Sequence, residues 1–392
     1  MQPDLIISRF GELWLKGANR WQFINRLTKN LASALKGAGL TGGRLEVHDA
    51  RFVYALPNPE SLARAVAIFR DTPGLSNVSA AVRVEQVDME SLGAAAVELV
   101  QSAWKGQNGR FACRARRIDK HFPMRGPDIE RTIGDRVGHA VPHMSVDLRA
   151  PTHTILVEIL HDVACVSAEH WDGAGGLPIG TAGKVMLLLS GGLDSPVAGY
   201  LAQKRGCELE AVYFHSPPFI GDAAREKVIT LARVLAARQG GMPLHICHFT
   251  AIQEAIHTTC DPKLTVILYR RFMYRIAARL AEQRKALALC TGENLGQVAS
   301  QTLENLSVVD GHTGLLTLRP LLAHDKHETT TLARRIGTYE TSILPAEDCC
   351  SLFVPRHPAV RAPLSVVEAQ EKKLDVEALT AAALAQTEKL WL

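Results

Sequence analysis

Directly after the apolar run Val185–Leu189 the chain reads Ser190-Gly191-Gly192-Leu193-Asp194-Ser195-Pro196, and a helical pattern begins at Val197. A strand, a turn of small residues and a helix, in that order, make an anion cradle. Paired glycines let backbone N–H groups converge, the helix N-terminus adds partial positive charge, and the Ser190 and Ser195 hydroxyls can donate to phosphate oxygens. The loop lacks the lysine of the G-x-x-x-x-G-K-[ST] pattern, so adenylation with loss of pyrophosphate is expected rather than transfer of a terminal phosphoryl group. Asp194 would stand nearest a magnesium ion and the phosphates; its alternative role is a helix cap. Ligands of parallel sheets bind at the carboxyl ends of the strands, which turns Leu188, Leu189, Tyr213 and Phe214 toward a nucleotide base.

A second chemical feature is the adjacent pair Cys349 and Cys350 in PAEDCCSLF. A thiol that carries or attacks sulfur needs an accessible, electropositive setting, and Arg356 and His357 follow closely. The alternative is two buried structural cysteines. The other six of the eight cysteines are scattered and read as reduced, small hydrophobes of an intracellular chain. Cysteine spacings of an iron–sulfur site are absent. His324 and His327 have i, i+3 spacing without an H-E-x-x-H pattern and read as a polar helix start, so no structural metal is expected.

The third feature is basic. Arg110, Arg114, Arg116, Arg117, Lys120 and Arg125 cluster around Phe111 and Phe122. On a strand Arg110, Arg114 and Arg116 share one face, which makes either a phosphate-contacting stripe or a solvated strand face. The net charge of +4 decides little by itself.

At 392 residues, 47% of them hydrophobic, the chain is expected to fold as a globular protein of two or three domains. No apolar run approaches a membrane span and no signal peptide opens the chain, so a cytoplasmic location is expected. Residues 1–58 read strand, helix, strand, strand, with Phe23, Leu27, Leu31 and Leu35 at helical spacing. Residues 59–170 repeat an α+β pattern, including strands VSAAVRV and RFACRARR. Glycines mark a linker over 171–183. Residues 184–392 carry short apolar runs (VMLLLS, ELEAVYF, PLHICHF, ALALCT) alternating with helical patterns, which is the signature of a doubly wound, parallel α/β domain. The Ala-rich tail Val366–Leu390 reads as mostly helical.

Several stretches in order carry a family resemblance: RFGELWLKGANR, RARRIDKHFP, LLLSGGLDSPVAGYLAQKRG, TGENLGQVASQTLENL, LRPLLAHDKHET and IGTYETSILPAEDCCSLFVPRHP. The SGGxDS loop resembles the PP-loop of ATP pyrophosphatases, and the whole series resembles the 4-thiouridine synthetase (ThiI) family. The resemblance implies a ferredoxin-like domain, then a THUMP RNA-binding domain, then a PP-loop ATP pyrophosphatase domain. It implies ATP with Mg2+, and ATP contacts at Arg270, Gly292 and Gln301; without it, Arg270 would also suit a solvated helix charge. It implies that a tRNA uridine, position eight in the family, is adenylated and its 4-oxygen replaced by persulfide sulfur. By resemblance Cys349 is the sulfur-handling residue, with Cys350 as its nearest rival. The family draws sulfur from a cysteine desulfurase, and some members pass it to a carrier protein for the thiazole of thiamine. About 40 residues follow Cys350, too few for the rhodanese domain of some members, so a separate persulfide donor, or sulfide, would serve, and a resolving thiol would have to be Cys350 or Cys207. A homodimer is a further expectation of the resemblance.

Two other function classes stand beside this one. A ligase-type ATP pyrophosphatase acting on a small molecule, or on another RNA base, would need neither a THUMP-like domain nor a cysteine pair. A tRNA-binding protein without chemistry would not need Ser190–Ser195 and TGENLGQ intact. A THUMP methyltransferase is disfavoured, because Gly173-Ala174-Gly175 lacks the third glycine of a G-x-G-x-x-G turn.

Overall fold

The computed structural model describes residues 1–392 apart from Asp49, Asp162, His312 and Arg356, and apart from the side chains of Trp14 and Leu15. The chain divides into two compact units, Met1–Pro178 and Ile179–Leu392.

In the first unit the elements run β1 (Leu5–Phe10), α1 (Arg20–Gly37), β2 (Arg44–His48), β3 (Arg51–Ala55), α2 (Leu62–Asp71), β4 (Leu75–Val84), α3 (Met89–Ala103), β5 (Gly109–Arg117), α4 (Gly126–Ala140), β6 (Met144–Val146), β7 (His153–Ile159) and β8 (Ala164–Asp172). All eight strands join one sheet, ordered β2-β3-β1-β4-β8-β7-β5-β6. The expected boundary after residue 58 does not divide two cores. Ala65, Val66 and Phe69 of α2 and Leu75 and Val78 of β4 pack with Ile6, Leu27, Leu31 and Phe52, so the first core extends through β4. A second core joins α3 and α4 to Phe111, Cys113, Ile155 and Val157. The helical spacing of Leu27, Leu31 and Leu35 puts all three on the buried stripe of α1, as amphipathicity requires.

In the second unit the order is β9 (Lys184–Leu188), α5 (Asp194–Lys204), β10 (Glu208–His215), α6 (Asp222–Ala237), β11 (Pro243–His248), α7 (Thr250–Thr259), α8 (Thr265–Gln283), β12 (Ala288–Cys290), α9 (Leu303–Asp310), β13 (Leu316–Leu318), α10 (Lys326–Ile336), α11 (Tyr339–Ser342), α12 (Leu364–Glu371), α13 (Val376–Ala385) and β14 (Glu388–Trp391). The six-stranded sheet is ordered β13-β12-β9-β10-β11-β14. Its first five strands are parallel and β14 is antiparallel to β11. Strand alternation feeds two cores. Val185, Leu187, Leu209 and Ala211 face α5, α6 and α10, while Met186, Val212 and Phe214 face α7 and α8. This is the doubly wound arrangement, with β9 at the point where the chain reverses its direction across the sheet.

The tail departs from its helical reading at its end. Thr387 follows α13, and Glu388–Trp391 pairs with β11 in register Ile246↔Glu388 to Pro243↔Trp391. An uncovered edge at β11 would leave backbone donors and acceptors unpaired, and β14 supplies the partners. Among the described residues no helix is long and apolar enough to cross a membrane.

Candidate active site

A cavity of about 360 Å³ opens in the second unit at the carboxyl ends of β9, β10 and β12. On one wall stands the phosphate loop, Ser190, Gly192, Asp194 and Ser195; Leu188, Leu189, Tyr213 and Phe214 line it from the ends of β9 and β10. Arg270, Gly292 and Gln301 complete the set expected to contact a nucleotide. Gly191 faces instead a smaller neighbouring cavity together with Lys227. Cys349 and Cys350 line the same cavity. Residues separated by more than 150 positions in the sequence therefore converge on one space.

The loop is held by its own hydroxyls. Ser190 N–H donates to Ser195 Oγ at 2.9 Å, the two hydroxyl oxygens lie 3.1 Å apart, and Gly192 N–H donates to Ser190 Oγ at 3.3 Å. In this state both serines brace the turn that was expected to donate to phosphate. Asp194 is the first residue of α5, and Leu193 precedes it without a side-chain cap. The capping role is thus not the one adopted. The Asp194 carboxylate accepts from Lys326 Nζ and Gln297 Nε2, each at 3.3 Å. Lys326 is presented by a capping box: Asp325 accepts from Glu328 N–H at 2.8 Å and Glu328 returns the bond to Asp325 N–H at 2.9 Å. This is the polar helix start read at His324 and His327.

Gly292 is required by packing. A Cβ there would lie 2.5 Å from Ser195 N and 2.7 Å from Asp194 C, so only glycine lets the segment after β12 lie against the start of α5.

Arg270 is buried, which removes the solvated-charge alternative. Its guanidinium pairs with Glu293 and donates to the Ser300 carbonyl, and burial lowers its pKa. Glu293 also accepts from Arg319 Nε at 2.6 Å and from Tyr274 OH at 2.7 Å. Sequence reasoning passed over Glu293, Arg319, Lys326 and Asp348. The position of Glu293 directly after Gly292 in the TGENLGQ segment was the available signal for it; nothing local marks the others. Gln301 Oε1 is buried on the cavity wall with no protein partner among the described residues. Such an orphaned atom suits a ligand that brings its own hydrogen-bonding groups, as a nucleotide does.

The cysteine wall differs in character. Cys349 is buried and Cys350 half-buried. Gln253 Nε2 donates to the Cys349 carbonyl at 2.7 Å, and Asp348 caps the turn by accepting from Cys350 N–H at 3.1 Å. A hydrogen bond with Cys350, burial and the Asp348 carboxylate together push the Cys349 thiol well above its ordinary pKa. Arg356, expected nearby, lies outside the described residues; His357 is exposed. Cys207 packs in the core beside α5 and does not reach this cavity. The potential ligand atoms of Asp348, Cys349 and Cys350 lie within 4.8 Å of one another, the one cluster of three metal ligands among the described residues.

Chain-wide comparisons identify the site's lineage. The model described as "Thiamine biosynthesis protein (ThiI)" matches residues 180–376, the THUMP domain model residues 86–169, and the ThiI ferredoxin-like domain model residues 5–79. A protein of Halothermothrix orenii named "Probable tRNA sulfurtransferase" is 42% identical, with 98% of each chain covered. The chain belongs to the ThiI family. A Staphylococcus aureus relative of the same name is 40% identical over all of this chain and 95% of its own length. The crystal structure of a 4-thiouridine synthetase–RNA complex with bound ATP covers 100% of both chains at 35% identity and a TM-score of 0.88. In this ThiI-family chain the PP-loop fold is therefore the frame of the cavity, and the ferredoxin-like and THUMP folds make up the first unit.

The basic residues lie in that first unit, on and after β5. Arg110 pairs with Asp147 at 2.9 Å, and Arg114 donates to the Leu148 carbonyl at 2.6 Å. Arg117 donates to the Phe122 and Met124 carbonyls, and Lys120 to the Arg117 carbonyl. Arg116 is exposed and sits opposite Glu158 in the β5–β7 register. Phe111 and Phe122 are buried in the core.

Proposed function

We propose that this chain is an ATP-dependent tRNA sulfurtransferase that converts a uridine, position eight by family resemblance, to 4-thiouridine. The observation that carries the reading is the single cavity lined by both a PP-loop and two adjacent thiols. A nucleotide's phosphates lie against Ser190–Ser195, where backbone donors and the start of α5 favour negative charge. Asp194, together with the phosphate oxygens, would hold Mg2+, which would neutralise charge on the phosphates. Lys326 keeps the Asp194 carboxylate oriented.

Uridine O4 attacks the α-phosphorus, the bond to the bridging oxygen breaks, and pyrophosphate leaves. The terminal sulfur of a cysteine persulfide then attacks C4 and expels AMP. The C4–S–S linkage that results is resolved when the second thiol attacks the cysteine sulfur, forming a disulfide and releasing the thiolated base; an external dithiol reduces that disulfide. We assign the persulfide to Cys350 and the resolving step to Cys349, reversing the order given by resemblance. Cys350 is the half-buried member, reachable by a donor protein, whereas Cys349 is buried. The donor is a cysteine desulfurase or another persulfide protein in the cytoplasm. The exposed Arg116 and the cations around it engage tRNA phosphates. Sulfur transfer toward the thiazole of thiamine is a second outlet, carried by the family model's description alone.

Mass spectrometry of nucleosides from tRNA incubated with ATP, Mg2+, cysteine, a cysteine desulfurase and the protein tests this. Appearance of 4-thiouridine with AMP formation is the expected result. AMP without a thiolated base would retain the PP-loop reading and defeat the substrate assignment in favour of another adenylated acceptor.

A further inference from the structure

A second cavity, about 290 Å³, adjoins the nucleotide cavity. The two share Val266, Val298, Ser300, Asp348 and Cys350. Cys349 lines the first cavity and not the second. The rest of the second lining is Ile267, Ala299, Ser351, Pro358, Ala359 and the exposed Lys263. Its volume lies at the low end of the range of ligand sites, about 300 Å³, which suits one nucleoside rather than a second nucleotide triphosphate.

Resting on the tRNA thiolation reading, we propose that this second cavity is the subsite for the target pyrimidine, swung out of the RNA stack, and that Asp348 selects uracil there. Three observations converge. First, the reaction requires the α-phosphate, pyrimidine C4 and sulfur to meet, and Cys350 borders both spaces. Second, the walls Val266, Ile267, Val298, Ala299 and Pro358 are apolar, the surroundings that flipped bases enter once they leave their stack. Third, Lys263 is exposed and its ammonium has no partner among the described residues; the only hydrogen bonds at Lys263 are those of its backbone. An unpaired cation lining an apolar cavity complements the phosphodiester that a flipped nucleotide drags with it.

Asp348 supplies discrimination. Its carboxylate accepts from Cys350 N–H through Oδ1 and hydrogen-bonds the Cys349 thiol, and the exposed residue lines both cavities, so a lone pair remains for a base. A carboxylate accepts the N3–H of uracil. It repels the N3 lone pair of cytosine, whose C4 carries an amino group instead of the oxygen that must attack phosphorus. Withdrawal of the N3 proton toward Asp348 places negative charge on O4 as it attacks, so the group that recognises the base also activates it.

The test uses the full chain and a tRNA carrying 5-iodouridine at the position that the wild-type protein thiolates. After irradiation, crosslinked peptides are mapped by mass spectrometry, and nucleosides from unmodified tRNA are analysed in parallel. Crosslinks to peptides containing residues 263–267, 298–300 or 358–359 are expected. In a second arm Ala299→Phe, which fills the second cavity alone, is expected to lower thiolation kcat/KM at least 30-fold, with ATP and tRNA affinities within about threefold of wild type, a loss equivalent to two or more kcal/mol. Crosslinks confined to other peptides, or an Ala299→Phe protein that thiolates normally, would overturn the subsite while 4-thiouridine formation by the wild type leaves the function standing. Absence of 4-thiouridine with the wild type would overturn the function and the subsite together.

Discussion

At the phosphate loop, hydrogen bonds among Ser190, Gly192 and Ser195 and the close approach of Gly292 fix the backbone before any ligand arrives. At the cysteine turn lining the same cavity, a capped one-turn segment holds one thiol buried and protonated and the other half-buried. The first wall is preorganised: its donors are backbone groups and helix charge, which need no reorganisation when phosphate binds. At the second wall Cys349 is held back from reaction, because an unpaired thiolate would be costly where it sits. One cavity thus combines a site ready for nucleotide with one thiol kept protonated beside a more open neighbour.

That contrast can be broken in three ways. The largest effect is expected from Cys350→Ser, which should reduce 4-thiouridine formation about a thousandfold or more while ATP affinity changes less than twofold. Nucleoside mass spectrometry beside equilibrium dialysis measures both; retained thiolation would return the sulfur-carrying role to Cys349. Next is Gly292→Val, which should weaken ATP binding about ten- to a hundredfold, since overpacking costs about 1–3 kcal/mol. It should leave reactivity of the cysteines toward iodoacetamide unchanged. A variant that binds ATP normally would show that the loop yields, and that the preorganised wall is softer than its packing implies. The smallest effect concerns pH. With the Cys349 thiol raised above its ordinary value, its alkylation should be slow at neutral pH and rise about tenfold per unit through the alkaline range, as the thiolate fraction grows. Equal rates at pH 7 and pH 9, read by peptide mass spectrometry, would remove the protonated wall from the comparison.

A separate balance holds the second unit together away from the cavity. Glu210 is buried at 1% exposure and accepts from Lys184 at 2.7 Å, Arg284 at 2.8 Å and His245 at 3.2 Å. Burial raises its pKa, but the hydrogen bonds from Arg284, Lys184 and His245 outweigh it and bring the carboxyl to about 2. A depressed carboxyl pKa stabilises the fold above its unfolded value near 4.5 and loses that contribution as pH falls toward 2. Thermal melts of Glu210→Gln should show a loss of about 3–5 kcal/mol at neutral pH, and the gap between wild type and variant should narrow across that acid window.

Local chemistry made much of this legible beforehand. The strand, small turn and helix at 185–204 follow from apolar run, glycine pair and helical spacing, because the residues that build an anion cradle are neighbours in the chain. The parallel character of the sheet follows from apolar runs separated by amphipathic helices. What short-range pattern left open, or read otherwise, falls where partners are distant. Asp194 meets Lys326 across 132 positions, so a residue that looks like a cap becomes an ion-pair partner. Residues 388–390 read as helix and become part of the strand Glu388–Trp391 because β11 offers an edge. Arg110 and Arg114, which pattern places on one strand face, also reach Asp147 and the Leu148 carbonyl of a following loop.

The amino-acid sequence by itself determined which backbone could cradle phosphate, which residues could act as sulfur nucleophiles and which strand was basic, since these depend on residue type and short-range period. Only the tertiary structure decided that the loop and the thiols share one cavity, that Cys349 is buried while Cys350 is partly open, and that a second, apolar cavity adjoins the first at Cys350. Those facts depend on long-range packing, and burial and electrostatic partners have no representation in local spacing.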